Sequence, residues 1–135
     1  MYIFAETTPD QPLEATVPLP TRVNLGDRTW YLALMEMTLD HTGAETRRVH
    51  ISADCVGTTI LNGQCTGLLR IVDIEARVNK NRPVYRDSIE YVNPYPIKVN
   101  QPVLTTIRIT LSSPDNEDLS AIKGFSCVLR LSDDE

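Results

Sequence analysis

Period-two alternation of apolar and polar positions dominates the chain. In Thr105-Thr106-Ile107-Arg108-Ile109-Thr110-Leu111, Ile107, Ile109 and Leu111 share one face, while Thr106, Arg108 and Thr110 share the other. Phe125-Ser126-Cys127-Val128-Leu129-Arg130-Leu131 repeats the pattern with Phe125, Cys127, Leu129 and Leu131 inward. Val49-His50-Ile51-Ser52-Ala53-Asp54-Cys55 is a third case. Alternate side chains of an extended strand point to opposite faces, so these segments predict half-buried antiparallel strands. Two further runs, Trp30 to Leu39 and Leu68 to Ile74, are apolar on both faces for most of their length. The first suits a helix by composition. Its aromatic start and its flanks, Gly26-Asp27 and His41-Thr42-Gly43, favour a strand buried on both sides. Such a strand is central in its sheet, or its outer face meets a neighbouring subunit.

Turn signals separate the runs: Pro9-Asp10, Pro18-Leu19-Pro20, Gly26-Asp27, Asn62-Gly63, Asn79 to Pro83, Asn93-Pro94-Tyr95-Pro96 and Ser113 to Asn116. Nine prolines spread along the chain break long helices and mark strand edges. The spacing predicts strands near 2–7, 13–18, 21–25, 29–39, 47–55, 67–75, 84–92, 103–112 and 124–132, with one helical turn over 117–122. Short strands at this density read as a sandwich or barrel. With 135 residues, no internal repeat and no linker, residues 1–135 are expected to form a single domain.

Composition narrows the function classes. A net charge of −5, from 13 basic and 18 acidic residues, lacks the cationic footprint of non-specific nucleic-acid binding. No stretch approaches the ~20 apolar residues of a membrane helix, and no secretory signal is expected from the first residues. Three cysteines, Cys55, Cys65 and Cys127, suit free thiols in a reducing compartment better than a disulfide framework.

Candidate chemistry is sparse. HExxH, CxxC, GxSxG and Walker patterns are missing, and Cys55 and Cys65 have no paired ligands at zinc spacing. His50, on the polar face beside Arg47 and Arg48, reads as a pH sensor or general base, or as a solvated or interface-facing histidine. His41 falls in a turn. Glu36 and Asp40 share a strand face but lie ~13 Å apart, too far for a shared-proton dyad. The arginines, including Arg70, Arg77, Arg86, Arg108 and Arg130, are read as partners in ion pairs within or between subunits. Tyr85, Tyr91 and Tyr95 with Pro94 and Pro96 make an aromatic–proline patch that suits a packed loop, a subunit contact or a binding groove. The residues support neither a catalytic constellation nor a cofactor or metal site, and no enzyme activity is expected.

Read in order, the chain resembles the penton-type minor capsid proteins of Polinton and Polinton-like DNA viruses, including adintoviruses. Three stretches carry the resemblance. The first runs from Met1-Tyr2-Ile3-Phe4 through Val23-Asn24-Leu25-Gly26-Asp27-Arg28-Thr29-Trp30 into the strand Trp30-Tyr31-Leu32-Ala33-Leu34-Met35-Glu36-Met37. The second is Val49 to Val56 followed by Leu68-Leu69-Arg70-Ile71-Val72. The third is Tyr91-Val92-Asn93-Pro94-Tyr95-Pro96 leading to Thr106-Ile107-Arg108-Ile109-Thr110-Leu111, with Cys127-Val128-Leu129-Arg130-Leu131 in the place of the closing strand. Two departures stand out. The family's long insertion after the Trp strand is reduced to Asp40 to Arg48, and Ser113-Pro114-Asp115 replaces a familiar glycine.

The resemblance implies an all-β single jelly-roll sandwich of about eight antiparallel strands in two sheets. It also implies a structural virion protein, made in the host cytoplasm or nucleus, that assembles at icosahedral vertices beside a major capsid protein. The expected state is a homo-oligomer, a pentamer, closed by burial of apolar surface between identical subunits. The alternative is a trimeric attachment or fibre head, or a sandwich module that binds a peptide or glycan. The subunit-contact residues expected are Tyr31, Met35 and Met37 on the Trp strand, for which core packing is the other reading, and Tyr91, Tyr95 and Ile97 in the proline-rich segment.

Overall fold

The computed structural model describes residues 1–26, 28–44, 46–56, 59–61, 64–77, 83–114 and 117–133, with the backbone alone at 20–23, 59–61 and 64–66. The turn signals at Asn62-Gly63, Asn79 to Arg82 and Asp115-Asn116, the Cys65 side chain and the acidic end past Asp133 lie outside the described residues.

Eleven strands and no helix occur among the described residues. They are β1 (Tyr2–Glu6), β2 (Glu14–Asn24), β3 (Trp30–His41), β4 (Arg47–Ala53), β5 (Thr59–Leu61), β6 (Gln64–Thr66), β7 (Leu68–Ile74), β8 (Tyr85–Glu90), β9 (Ile97–Lys98), β10 (Val103–Ser112) and β11 (Ile122–Asp133). One sheet has the order β1-β11-β3-β8, with the two-residue β9 also on β3; the other has the order β2-β10-β4-β7; β5 and β6 form a separate hairpin. Every pairing is antiparallel. Numbered through the eight longer strands alone, the sheets read 1-8-3-6 and 2-7-4-5. That order fits a jelly roll, a sandwich of two Greek keys.

Alternation supplies the core. The first sheet turns Ile3, Ala5, Leu32, Leu34, Phe125, Cys127, Leu129 and Leu131 inward, and the second answers with Ala15, Val49, Ile51, Leu104, Ile107, Ile109 and Val72, all in one buried cluster. Each fully buried Leu or Ile removes apolar surface worth ~1.5–3 kcal/mol from water.

Three departures from the sequence expectations have local causes. First, β3 is central, but its apolar runs do not reflect two buried faces throughout. The β11–β3 register shifts between Leu129↔Leu34 and Val128↔Glu36, leaving Met35 as an extra residue. The bulge flips the inward phase, so Leu32 and Leu34 precede it and Met37, Leu39 and His41 follow it, all buried. Second, the strands expected at 13–18 and 21–25 are one strand, β2, interrupted in the middle. Leu104 pairs with Val23 and Thr106 with Pro18, so the segment around Leu19 and Pro20 loops out of register. β2 is an edge strand, where proline's missing N–H costs no ladder bond. Third, residues 117–122 form a turn instead of a helical turn. Asp118 Oδ1 accepts from Ser120 N at 2.9 Å, and Ile122 N donates to Leu119 O at 3.0 Å. The side chain thus takes the N–H that a helix would need. That bond from Ser120 N and a second, from Ser120 Oγ to Asp118 Oδ2 at 2.9 Å, hold the Asp118 carboxyl below its ordinary pKa.

Cys55 and Cys127 are free and buried. Burial pushes both thiols from an ordinary 9.0 up to about 12, with the Asp54 charge adding to the effect at Cys55. A raised thiol pKa favours the protonated folded state. This contribution is intact below about pH 9 and is lost as the pH climbs towards about 12. In a Cys65→Ser variant, both remaining thiols are expected to resist a disulfide-exchange reagent at pH 8 and to react together on unfolding. Fast labelling of either in the native protein would contradict the packing described here.

Candidate functional site

Ionisable groups converge most closely where β3 meets β8. His41 ends β3 on its inner phase, 1% exposed. Its Nδ1 accepts from Gly43 N at 3.1 Å, which leaves the proton on Nε2, donated to Asp87 Oδ2 at 2.7 Å. Asp87 also pairs with Arg77, whose guanidinium lies 5.9 Å from the Tyr85 ring centroid. Gly43 closes the cluster with φ +74, and a Cβ there would come within 2.9 Å of both Arg77 and Tyr85. Both ring nitrogens of His41 are engaged and the ring is enclosed. The group therefore acts as a brace between the β3 terminus, the segment after β7 and β8; it has no lone pair facing solvent.

His50 is not solvated. It lies on the outer face of the second sheet, opposite Ile71 and Ser112, yet is 8% exposed. Among the described residues no group of three or more His, Cys, Asp or Glu is placed to hold a metal ion, and no helix is long and apolar enough to cross a membrane.

The sheet surfaces use most of the arginines for pairing within the chain. Arg48 meets Asp73 at 3.0 Å directly across β4–β7, and Arg108 meets Glu14 at 2.9 Å across β10–β2. Arg86 meets Asp40 across β8–β3 through Nε–Oδ1 at 2.8 Å and Nη2–Oδ2 at 3.2 Å. That bidentate contact, with the charge of Asp40, raises the Arg86 pKa further. The Arg86–Asp40 pair sits in a shallow groove on the outer face of the first sheet, with Glu6, Thr38, Ser88 and Lys123. Exposed pairs of this kind add little to stability.

Arg70 has another role. It reaches from the edge strand β7 to the opposite sheet, with its guanidinium 4.1 Å above the Tyr91 ring centroid and Nη2 donating to Asn93 O at 3.1 Å. Tyr91 N in turn donates to Met35 O at 2.9 Å. Burial raises the Tyr91 phenol pKa, with Arg70 opposing the shift. Arg70 thereby pins the 91–96 loop over the gap between the edges of the two sheets. Lysine lacks the planar fork and stacks less well. Arg70→Lys is expected to cost ~1–2 kcal/mol and to speed amide exchange in 91–96 selectively. Unchanged exchange there would show that the loop is held by other contacts.

The expected contact residues divide by position. Met37 is 1% exposed and belongs to the core, so it does not reach a neighbouring subunit. Its inward position follows from the bulge at Met35. Tyr91 and Ile97 are half-buried against the core. Tyr31 and Met35 are half-buried on β3, and Tyr95 is 69% exposed. Two residues of the same character were not singled out by sequence reasoning. Tyr2 and Phe4 are 68% and 60% exposed on β1, opposite in phase to buried Ile3 and Ala5. The signal is present in Tyr2-Ile3-Phe4-Ala5-Glu6, where the larger aromatic residues occupy the phase opposite to Ile3 and Ala5. Val92, 88% exposed, joins Tyr95 on the loop.

No family model matches the chain, and no curated protein matches it.

Proposed function

We propose that this chain is a structural subunit, a penton-type minor capsid protein whose work is assembly with copies of itself at the vertices of a virion, beside a major capsid protein. The observation that carries the reading is the strand order, 1-8-3-6 facing 2-7-4-5, which fits the single jelly roll implied by the sequence resemblance. Fold alone does not assign function. The reading draws further support from the surface. Large apolar side chains stay uncovered on β1 and on the 91–96 loop, while the convergent ionisable groups around His41 are enclosed and mutually satisfied. Surface of that kind is covered when subunits associate.

A second reading, a trimeric attachment head or ligand-binding sandwich, is favoured by the exposed Val92 and Tyr95, because loops at the end of a sandwich are a common place for binding residues. Stoichiometry separates the two. Light scattering across a concentration series is expected to give five times the chain mass. Three times that mass favours the attachment head, and a single chain mass at high concentration contradicts assembly altogether.

A further inference from the structure

We infer that subunits join head to tail, with the Tyr2–Phe4 margin of one copy seated on the Val92–Tyr95 loop of the next. The inference rests on the assembly reading above and goes further by naming the two surfaces that meet.

A closed ring of more than two copies needs two different complementary surfaces on each subunit, whereas a twofold dimer needs one self-complementary surface. This chain has two, on opposite margins of one sheet. In the order β1-β11-β3-β8, β1 is one edge, and among the described residues no strand pairs with its outer side. Met1 N donates to Leu131 O at 3.0 Å, Leu131 N donates to Met1 O at 2.8 Å, and Thr7 N donates to Phe125 O at 3.0 Å. Odd-numbered residues therefore bond to β11. The backbone N–H and C=O groups of Tyr2 and Phe4 face the open edge, while their exposed rings stand on the outer face of the sheet beside it. The other margin lies three strand spacings away, ~14 Å, where the chain leaves β8, forms the loop with Val92 and Tyr95, and returns to β3 as β9.

Charge on the two margins is complementary. Arg130 stands directly across from Tyr2 on β11; its Nε is buried without a partner, and no ion pair or hydrogen bond occupies it among the described residues. At the loop margin Glu90 stands directly opposite Glu36, both exposed and neither bonded to a cation among the described residues. Like charges facing each other across strands weaken a sheet. A cation from the next subunit relieves that repulsion, and Arg130 beside Tyr2 is positioned to supply it when Tyr2 and Phe4 pack on Val92 and Tyr95.

Two surface variants test the pairing, Tyr2→Ser with Phe4→Ser, and Val92→Ser with Tyr95→Ser. All four side chains face outward, so the circular dichroism spectrum and unfolding midpoint serve as the check that the fold is kept. In sedimentation velocity each variant alone is expected to lose the ring, with association at least tenfold weaker than the unmodified chain. An equimolar mixture retains one intact junction per pair and is expected to give a dimer containing one of each. Rings formed by either variant at the unmodified concentration dependence would overturn the pairing, and so would a mixture that stays monomeric. Arg130→Glu is expected to weaken assembly, and Arg130→Glu combined with Glu90→Arg in one chain to restore it; failure of that rescue with the fold intact removes the charged contact. An unmodified chain that remains monomeric removes the assembly reading itself, an outcome distinct from rings that ignore the variants.

Discussion

Replacing Gly67 with alanine is expected to destabilise the protein by about 3 kcal/mol or more, enough to leave a large unfolded fraction. Gly67 lies between β6 and β7, where the turn leaving β4 folds back across it. Ala53 N donates to Gly67 O at 2.8 Å, and a Cβ on Gly67 would overlap the carbonyl oxygens of both Ala53 and Val56. Both obstacles are backbone atoms, so relief requires moving the end of β4 and not a side-chain rotation. Gly26→Ala is the control. Its φ is +59 with nothing within 4 Å of the added carbon, so only the left-handed backbone opposes it, at ~1 kcal/mol. Urea unfolding followed by circular dichroism compares the two. Equal, small losses would mean that the β4 turn does not cross Gly67 as described.

Leu129→Ala is the second large effect, expected to cost ~2–5 kcal/mol. Leu129 is fully buried and sits in register between Ile3 on β1 and Leu34 on β3, beside the β3 bulge. Truncation there leaves a cavity between the buried side chains of Ile3 and Leu34 in the packed core. Val128→Ala, one residue away on the outer face, is expected to change stability by less than ~1 kcal/mol. The same urea experiment checks both. A larger loss at Val128 than at Leu129 would invert the inward and outward faces assigned to β11.

What the sequence disclosed follows from the same packing. β4, β10 and β11 were legible because their inward residues alternate through most of their length. β3 was legible as a strand but not as to its faces, because one extra residue at Met35 exchanges the phases and makes both appear apolar. Met37 was therefore open to reading as a contact residue. The prolines in β2 imitate a chain break, although an edge strand tolerates them. The hairpin β5–β6 and the two-residue β9 are too short to carry a period.

Site-level information is scarcer still. His41 had no signal because its partner Asp87 is 46 residues away, and only the β3–β8 register brings them together. Arg70 over Tyr91 likewise depends on two sheet edges meeting. The cations noticed in the sequence were readable as ion-pair partners, and the cross-strand pairs at Arg48, Arg86 and Arg108 fit that expectation. Tyr2 and Phe4 were visible in the alternation of β1, but their importance emerges only once the opposite phase is seen to fill the core.

Images of the purified chain by negative-stain electron microscopy test the assembly claim most directly. Closed rings with fivefold averages are the expected result, because both uncovered margins are then occupied in every copy. A field of compact single-chain particles at concentrations where the chain remains folded would contradict it.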